Sequence, residues 1–323
     1  MGYPRHLHVP PEIPGIYHCM SRCVRRAFLC GQDPITGRSL NHRKQWLEDR
    51  VIELAKLFAV AVHSYAIMSN HFHVVLETDP RAPLNWSDEE VARRWLRLSP
   101  NATADEMPTA ARIAAITTQP TRLAVLRQRL GSLSWFMRYL KEPIARRANR
   151  EDECTGRFWE GRFRTQALLD DCAIVACMVY VDLNPVRAGT ATTIETSSHS
   201  SAQVRALARG QGQEEGPIRP LASSIHPQFC AMSTAQYLEL VNWTSSALHP
   251  VTKDIGSTDA PRILVRLGLK RRQWLAQVPA TESQYYGAIG GVEALIQRAR
   301  NAGRKWVRGI GTAREVERIG TRA

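Results

Sequence analysis

His71 and His73 stand within Tyr65-Ala66-Ile67-Met68-Ser69-Asn70-His71-Phe72-His73-Val74-Val75-Leu76-Glu77. Apolar and β-branched residues dominate this stretch and Ser69-Asn70 interrupts it. The pattern predicts a strand, a tight turn, and a second strand from His71 to Glu77. Alternate side chains of a strand share a face, so the two imidazoles project together while Phe72 points into a core. Such a pair suits a divalent metal, although an isolated His-x-His is more often structural. Tyr180 and Asn184, far downstream, are four residues apart on one face of a predicted helix. His71, His73 and Asn184 would form a two-imidazole, one-amide set with open positions. That set suits Mg²⁺ or Mn²⁺ held together with a phosphate oxygen. A metal there polarises a phosphate, and the Tyr180 hydroxyl is placed to attack it. A phenol ionises near pH ~10, so it needs a base or metal-assisted geometry to act as a nucleophile. The product is a covalent phosphotyrosine and a free strand-end hydroxyl. The ester's energy would be conserved, so such a step would be reversible without ATP.

The elements that must carry these residues follow in order. Residues 1–14 read as an N-terminal arm and Gly15 to Ser21 as a first strand, with Arg22, Arg25 and Arg26 as a basic cluster at its end. Trp46, Leu47, Val51, Leu54, Leu57 and Phe58 recur at helical spacing, predicting a helix from about Asn41 to Phe58. Ala59 to Ile67 is the second strand. Strand, helix and hairpin open a ferredoxin-like α/β (α+β) unit, an antiparallel sheet with helices on one face. Residues 78–130 read as a helical insertion, with a capping box at Ser87-Asp88-Glu89-Glu90. A helix from Leu133 to Asn149 should kink or split at Pro143. Gly156 to Arg164 interleaves aromatic and basic residues, and a turn there leads into a strand reaching Leu168. Interleaving of that kind suits base stacking and phosphate contacts on unpaired DNA.

The tyrosine helix is expected over Cys172 to Leu183, capped by Asp170 or Asp171. Ile174, Cys177, Met178 and Val181 form its sheet-facing stripe, with Tyr180 at the stripe's edge. Pro185 ends it by disfavouring helical geometry at Asn184. Residues 191–230 read as a linker with one short helix near Val204, and 231–323 as a basic helical domain.

The 323 residues carry a net charge of +13, which points to a polyanionic partner such as nucleic acid. Between Pro261 and Ala323, 13 Lys or Arg face 4 Glu, most of that excess. Seven cysteines without a Cys-x-x-Cys pair speak against a zinc ribbon and for free thiols in a reducing cytosol. No signal-peptide core and no run of about 18 apolar residues is present, so the expectation is a cytoplasmic, nucleoid-associated protein without a membrane span.

Met68-Ser69-Asn70-His71-Phe72-His73 resembles the HUH motif of single-tyrosine transposases of the insertion-sequence-200-like group. Gly156-Arg157-Phe158-Trp159-Glu160-Gly161-Arg162-Phe163 and Tyr180-Val181-Asp182-Leu183-Asn184-Pro185-Val186-Arg187-Ala188-Gly189 resemble the REP-associated tyrosine transposases within it. The three blocks occur in the right order over roughly Tyr17 to Gly189. The resemblance implies a ferredoxin-like HUH domain over residues 15–190. It implies cleavage and rejoining of single-stranded or hairpin DNA through a 5′-phosphotyrosine at Tyr180. His71 and His73 are then metal ligands and Asn184 a third. Arg22, Arg25, Arg26, Lys141, Arg162, Arg164 and Arg187 are the candidates for holding DNA. In compact members the tyrosine helix completes a partner's site in a homodimer, whereas some REP-associated members are monomers; the sequence leaves both open. The 78–130 insertion and the 190–323 tail depart from the compact pattern. An alternative is a domesticated protein that holds repeat hairpins without cutting. An unrelated His-x-His metalloenzyme such as a cupin fits poorly, because the chain is helix-rich and lacks a Gly-rich strand series.

Overall fold

The computed structural model describes residues 9–24, 31, 37–98, 108–212, 218–225, 232–248 and 259–321. Arg25 and Arg26, and most of the N-terminal arm, lie outside the described residues. The chain begins β1 (Gly15–Arg22), α1 (His42–Leu57), β2 (Val60–Ile67) and β3 (His71–Thr78). Three helices follow: α2 (Asp88–Arg97), α3 (Ala110–Thr117) and α4 (Pro120–Leu130). The central unit resumes with α5 (Leu133–Glu151), β4 (Arg164–Leu168), α6 (Asp171–Asp182) and the single turn α7 (Asn184–Arg187). Then come α8 (Ser201–Gly210), β5 (Ala222–Ser223), α9 (Thr234–Leu248), α10 (Ile263–Arg266) and α11 (Arg271–Ser283). The chain closes with β6 (Ala288–Ile289), α12 (Val292–Asn301) and α13 (Ile310–Thr321).

The six strands form one mixed sheet in the order β5-β2-β3-β1-β4-β6. Its four central strands are antiparallel throughout and are joined as β1-α1-β2-β3-α5-β4, the ferredoxin-like order. Ser69-Asn70 makes the β2–β3 turn, closed by Met68 N–H donating to His71 O at 2.8 Å. Strands β5 and β6 extend the two edges, β5 antiparallel to β2 and β6 parallel to β4. The stretch after residue 190 is therefore built onto the same sheet.

Helices cover both faces. Trp159, whose indole N–H donates to Lys141 O on α5, packs edge-on against Phe72 at 5.6 Å. This is the α1 and α5 side, with Phe58 of the α1 cap against Phe136 at 5.7 Å. The opposite face of β3 carries His71, His73, Val75 and Glu77, and α6 lies over it. All eight residues of β2 are buried, as double coverage requires. The expected stripe on α6 is absent, because every residue from Ala173 to Asp182 is buried. The reason is packing from later in the chain. Tyr237 of α9 donates to Asp182 at 2.5 Å, and α11 runs against α6. Burying aliphatic side chains at ~1.5–3 kcal/mol each fixes where Tyr180 sits.

Two further expectations change. Helix α5 runs unbroken through Pro143. Proline removes the N–H that would serve the Tyr139 carbonyl, and Arg50 Nε supplies a donor at 3.4 Å instead. Gly156 to Phe163 is a loop, with the strand starting only at Arg164. Its aromatics Phe158, Trp159 and Phe163 are buried, so they anchor the loop and present no stacking platform, while Arg157 and Arg162 face outward. No helix among the described residues is long and apolar enough to cross a membrane. Cys172 and Cys177 are free thiols.

Candidate active site

Directly paired residues of antiparallel strands share a face, so register decides which side chains meet. Arg22 pairs with His71, Met20 with His73, and His18 with Val75. On the other side of β1, His18 pairs with Gln166 and Met20 with Arg164. One sheet face therefore carries Arg22, His18, His71, His73, Arg164 and Gln166. Tyr180 of α6 comes down onto it. The His71 and His73 ring centroids are 4.9 Å apart, His73 and Tyr180 5.7 Å, and His18 and Tyr180 6.0 Å, all within one chain.

The polar contacts are ordered. His71 Nδ1 lies 2.5 Å from Asn70 Oδ1, and His73 Nδ1 lies 2.9 Å from His18 Nε2. An amide oxygen only accepts, so His71 donates from Nδ1 and its Nε2 carries the lone pair. Asn184 Nδ2 donates to the Tyr180 carbonyl at 3.0 Å, which leaves its amide oxygen as the unspent group. The break at Leu183 places Asn184 at the first position of α7, one turn after Tyr180.

Three buried polar atoms at this place have no hydrogen-bond partner: Arg22 Nε, His73 Nε2 and Tyr180 Oη. Buried polar atoms are nearly always satisfied, so three unsatisfied ones on one sheet face call for a physical explanation, of which a bound ion or ligand is one. The electrostatics agree. Burial lowers His18 and His71 to a pKa of about 4, and Arg164 acts in the same direction on His18 and Arg22 on His71. His73 is pushed well below the usual histidine range, first by burial and then by its imidazole and arginine neighbours. All three rings are thus neutral near pH 7, the form a metal ligand requires. Burial raises the Tyr180 hydroxyl well above the ordinary phenol value; the negative charge of Glu282 on α11 adds to the shift without a hydrogen bond to the phenol, and the Arg187 charge opposes it.

An orphaned His73 Nε2 on a neutral ring, beside a second neutral imidazole, fits a divalent cation. No group of three or more His, Cys, Asp or Glu is arranged to hold one among the described residues. A cation here would need the Asn184 oxygen and a phosphate oxygen to complete its shell.

The basic residues separate into distinct situations. Arg22 and Arg164 flank the histidines on the sheet face. Arg187 is exposed, with its guanidinium 5.3 Å from the Tyr180 ring centre. Arg162 is exposed on the loop. Lys141 is buried and donates to Gly161 O at 2.9 Å, holding that loop to α5. The Gly156–Phe163 loop is also tied to the end of β1, where Glu160 N–H donates to Arg22 O at 2.9 Å. His18, Gln166 and Glu282 escaped the sequence reading. Neither strand marks them by alternation: β1 is polar at His18, Ser21 and Arg22, and β4 opens with three polar residues in a row, Arg164, Thr165 and Gln166.

No family model matches the chain, and no curated protein matches it. Among solved structures, a REP-associated tyrosine transposase bound to a REP hairpin is similar at 14% identity and a TM-score of 0.38. That likeness covers 71% of this chain and 95% of the other. A likeness this loose carries no functional weight, and the site has to be read from its own side chains.

Proposed function

We propose that this chain cuts and rejoins one strand of DNA, with Tyr180 as nucleophile on a phosphate held over His71 and His73. The observation that carries the reading is the set of three unpartnered buried atoms, Arg22 Nε, His73 Nε2 and Tyr180 Oη, around one sheet face. A guanidinium, an imidazole lone pair and a phenol are what a scissile phosphate with its counter-cation would engage. A Mg²⁺ or Mn²⁺ ion bound by His71, His73 and Asn184 would polarise that phosphate and stabilise developing charge.

In the cutting step the Tyr180 oxygen bonds to phosphorus and the bond from phosphorus to the 3′ oxygen breaks. The phenol gives up its proton and the departing oxygen takes one, so the step is proton-neutral. The tyrosine carries the 5′ phosphate, and reversal by the same or another 3′ hydroxyl reseals DNA. Arg22 and Arg164 position the phosphate and Arg187 steadies the phenol ring, contacts that orient a strand without reading its sequence. His73 and Tyr180 of one chain already meet, which supports attack by the chain's own tyrosine. Hairpin or palindromic DNA is the expected substrate, because attack requires an exposed phosphate.

One observation favours the second reading, a protein that holds hairpins without cutting. Tyr180 is 0% exposed, beneath α11. An oligonucleotide assay with Mn²⁺ separates the two. Cleavage by the wild type, lost in both Tyr180→Phe and His73→Ala while hairpin binding survives, supports the enzyme. Binding without cleavage under all metal conditions supports the holder.

A further inference from the structure

We propose that His18 and Gln166 are positioning residues that dictate which nitrogen of His73 carries its proton, and so keep His73 Nε2 bare for a metal. The inference rests on reading His71 and His73 as metal ligands.

The argument runs along one hydrogen-bonded chain. Gln166 Nε2 approaches the backbone carbonyls of Thr281 at 3.2 Å and Tyr285 at 3.1 Å. Carbonyls only accept, so this end of the side chain must be the NH₂ group. The amide orientation is thereby fixed, and Gln166 Oε1 faces His18 Nδ1 at 2.8 Å. An oxygen acceptor there requires the His18 proton to be on Nδ1. The neutral His18 ring then offers a lone pair at Nε2, 2.9 Å from His73 Nδ1. His73 must donate from Nδ1, and its neutral ring is left with an unprotonated Nε2. That atom is one of the buried nitrogens with no partner. Reversing any single step would set an N–H against an N–H or a carbonyl against a lone pair.

Sheet register builds the chain. Gln166 is the direct cross-strand neighbour of His18, and His73 is its diagonal neighbour, opposite Met20. Asn70 fixes His71 in the same tautomer from the adjacent turn. Metal-bound imidazoles commonly hand their other N–H to such an orienting acceptor, and losing the acceptor costs 10–100-fold in affinity, as an order of magnitude. The anchor carbonyls belong to α11 and the turn before β6. The segment after residue 190 therefore takes part in setting the site.

The test uses full-length protein labelled with ¹⁵N-histidine and freed of metal. Two-bond ¹H–¹⁵N spectra should show His73 protonated at Nδ1 in the wild type. In Gln166→Met, which keeps side-chain length and removes the amide, that tautomer should lose its dominance. Mn²⁺ affinity, read from free-ion paramagnetic resonance, should fall roughly 10–100-fold. His18→Leu should lose affinity similarly, whereas His18→Gln, which restores an accepting oxygen, should recover most of it. The His18 pair decides the matter if Gln166→Met fails to fold. Equal Mn²⁺ affinities for His18→Leu and His18→Gln overturn the relay, as does a wild-type His73 protonated at Nε2 that still binds Mn²⁺. A wild type with the Nδ1 tautomer and no Mn²⁺ binding instead overturns the metal reading, and the proposed role with it.

Discussion

The Tyr180 hydroxyl is buried with no hydrogen-bond partner, an arrangement that costs the fold stability as long as no ligand engages it. Tyr180→Phe should therefore leave the melting temperature unchanged or raise it, the reverse of an ordinary buried tyrosine; a clear drop in Tm would show that the hydroxyl supports the fold. The histidines predict a second effect. Burial holds His18 and His71 down to about 4 when folded and His73 well below the ordinary histidine value, whereas an unfolded histidine titrates at ~6.5. Acidification protonates the unfolded chain first. The stability is complete above about pH 6.5 and is lost progressively toward pH 4, at up to about 1.4 kcal/mol per pH unit for each histidine. Urea denaturation of metal-free protein at pH 7 and pH 5 measures this, and equal stabilities would contradict the assigned burial of the rings. The closeness of His71 to His73 and of Tyr180 to Asn184 was legible in the sequence because each pair is local, set by a strand period of two or one helical turn. His18 and Gln166 were not, since their meeting depends on register among β1, β3 and β4.

Packing between elements explains what pattern alone misjudged. Pro143 reads as a break, yet α5 continues because Arg50, on α1, reaches the carbonyl that proline abandons. The alternation of aromatic and basic residues from Phe158 to Arg164 reads as a stacking surface, yet Phe158, Trp159 and Phe163 are taken by the core. The α6 stripe vanished for a related reason: a helix covered from three directions needs no polar face. Where the inserted helices return to the central unit, Gly131 follows α4. A Cβ added there would stand 2.8 Å from Pro80 Cα and 2.9 Å from Pro80 O, both backbone atoms. Gly131→Ala should consequently destabilise the chain by ~1–3 kcal/mol through overpacking. Chemical denaturation reads this directly, and a neutral result would mean that the insertion is free to shift at its root.

Over the molecule, residues 191–230 read as a linker and 231–323 as a basic helical domain, and the structure adds that β5 and β6 from these stretches extend the two edges of the one sheet while α9 and α11 pack on α6. Short edge strands of two residues leave no sequence signal, so this docking was invisible in the pattern. The charge of +13 implies a binding strength governed by phosphate neutralisation. If six or more phosphates are contacted, hairpin affinity should fall by roughly 10³-fold between 50 and 200 mM salt, and a nearly flat salt dependence would deny the basic surface a role. The account's central claim is that the imidazole pair and the phenol act on one phosphate. Incubating the protein with hairpin DNA and Mn²⁺, digesting both polymers, and mapping the adduct by mass spectrometry tests it most directly. A 5′-phosphonucleotide on the Tyr180 peptide, absent when His73 is replaced, is the predicted result; cleaved DNA with no modified Tyr180, or an adduct on another residue, would contradict it.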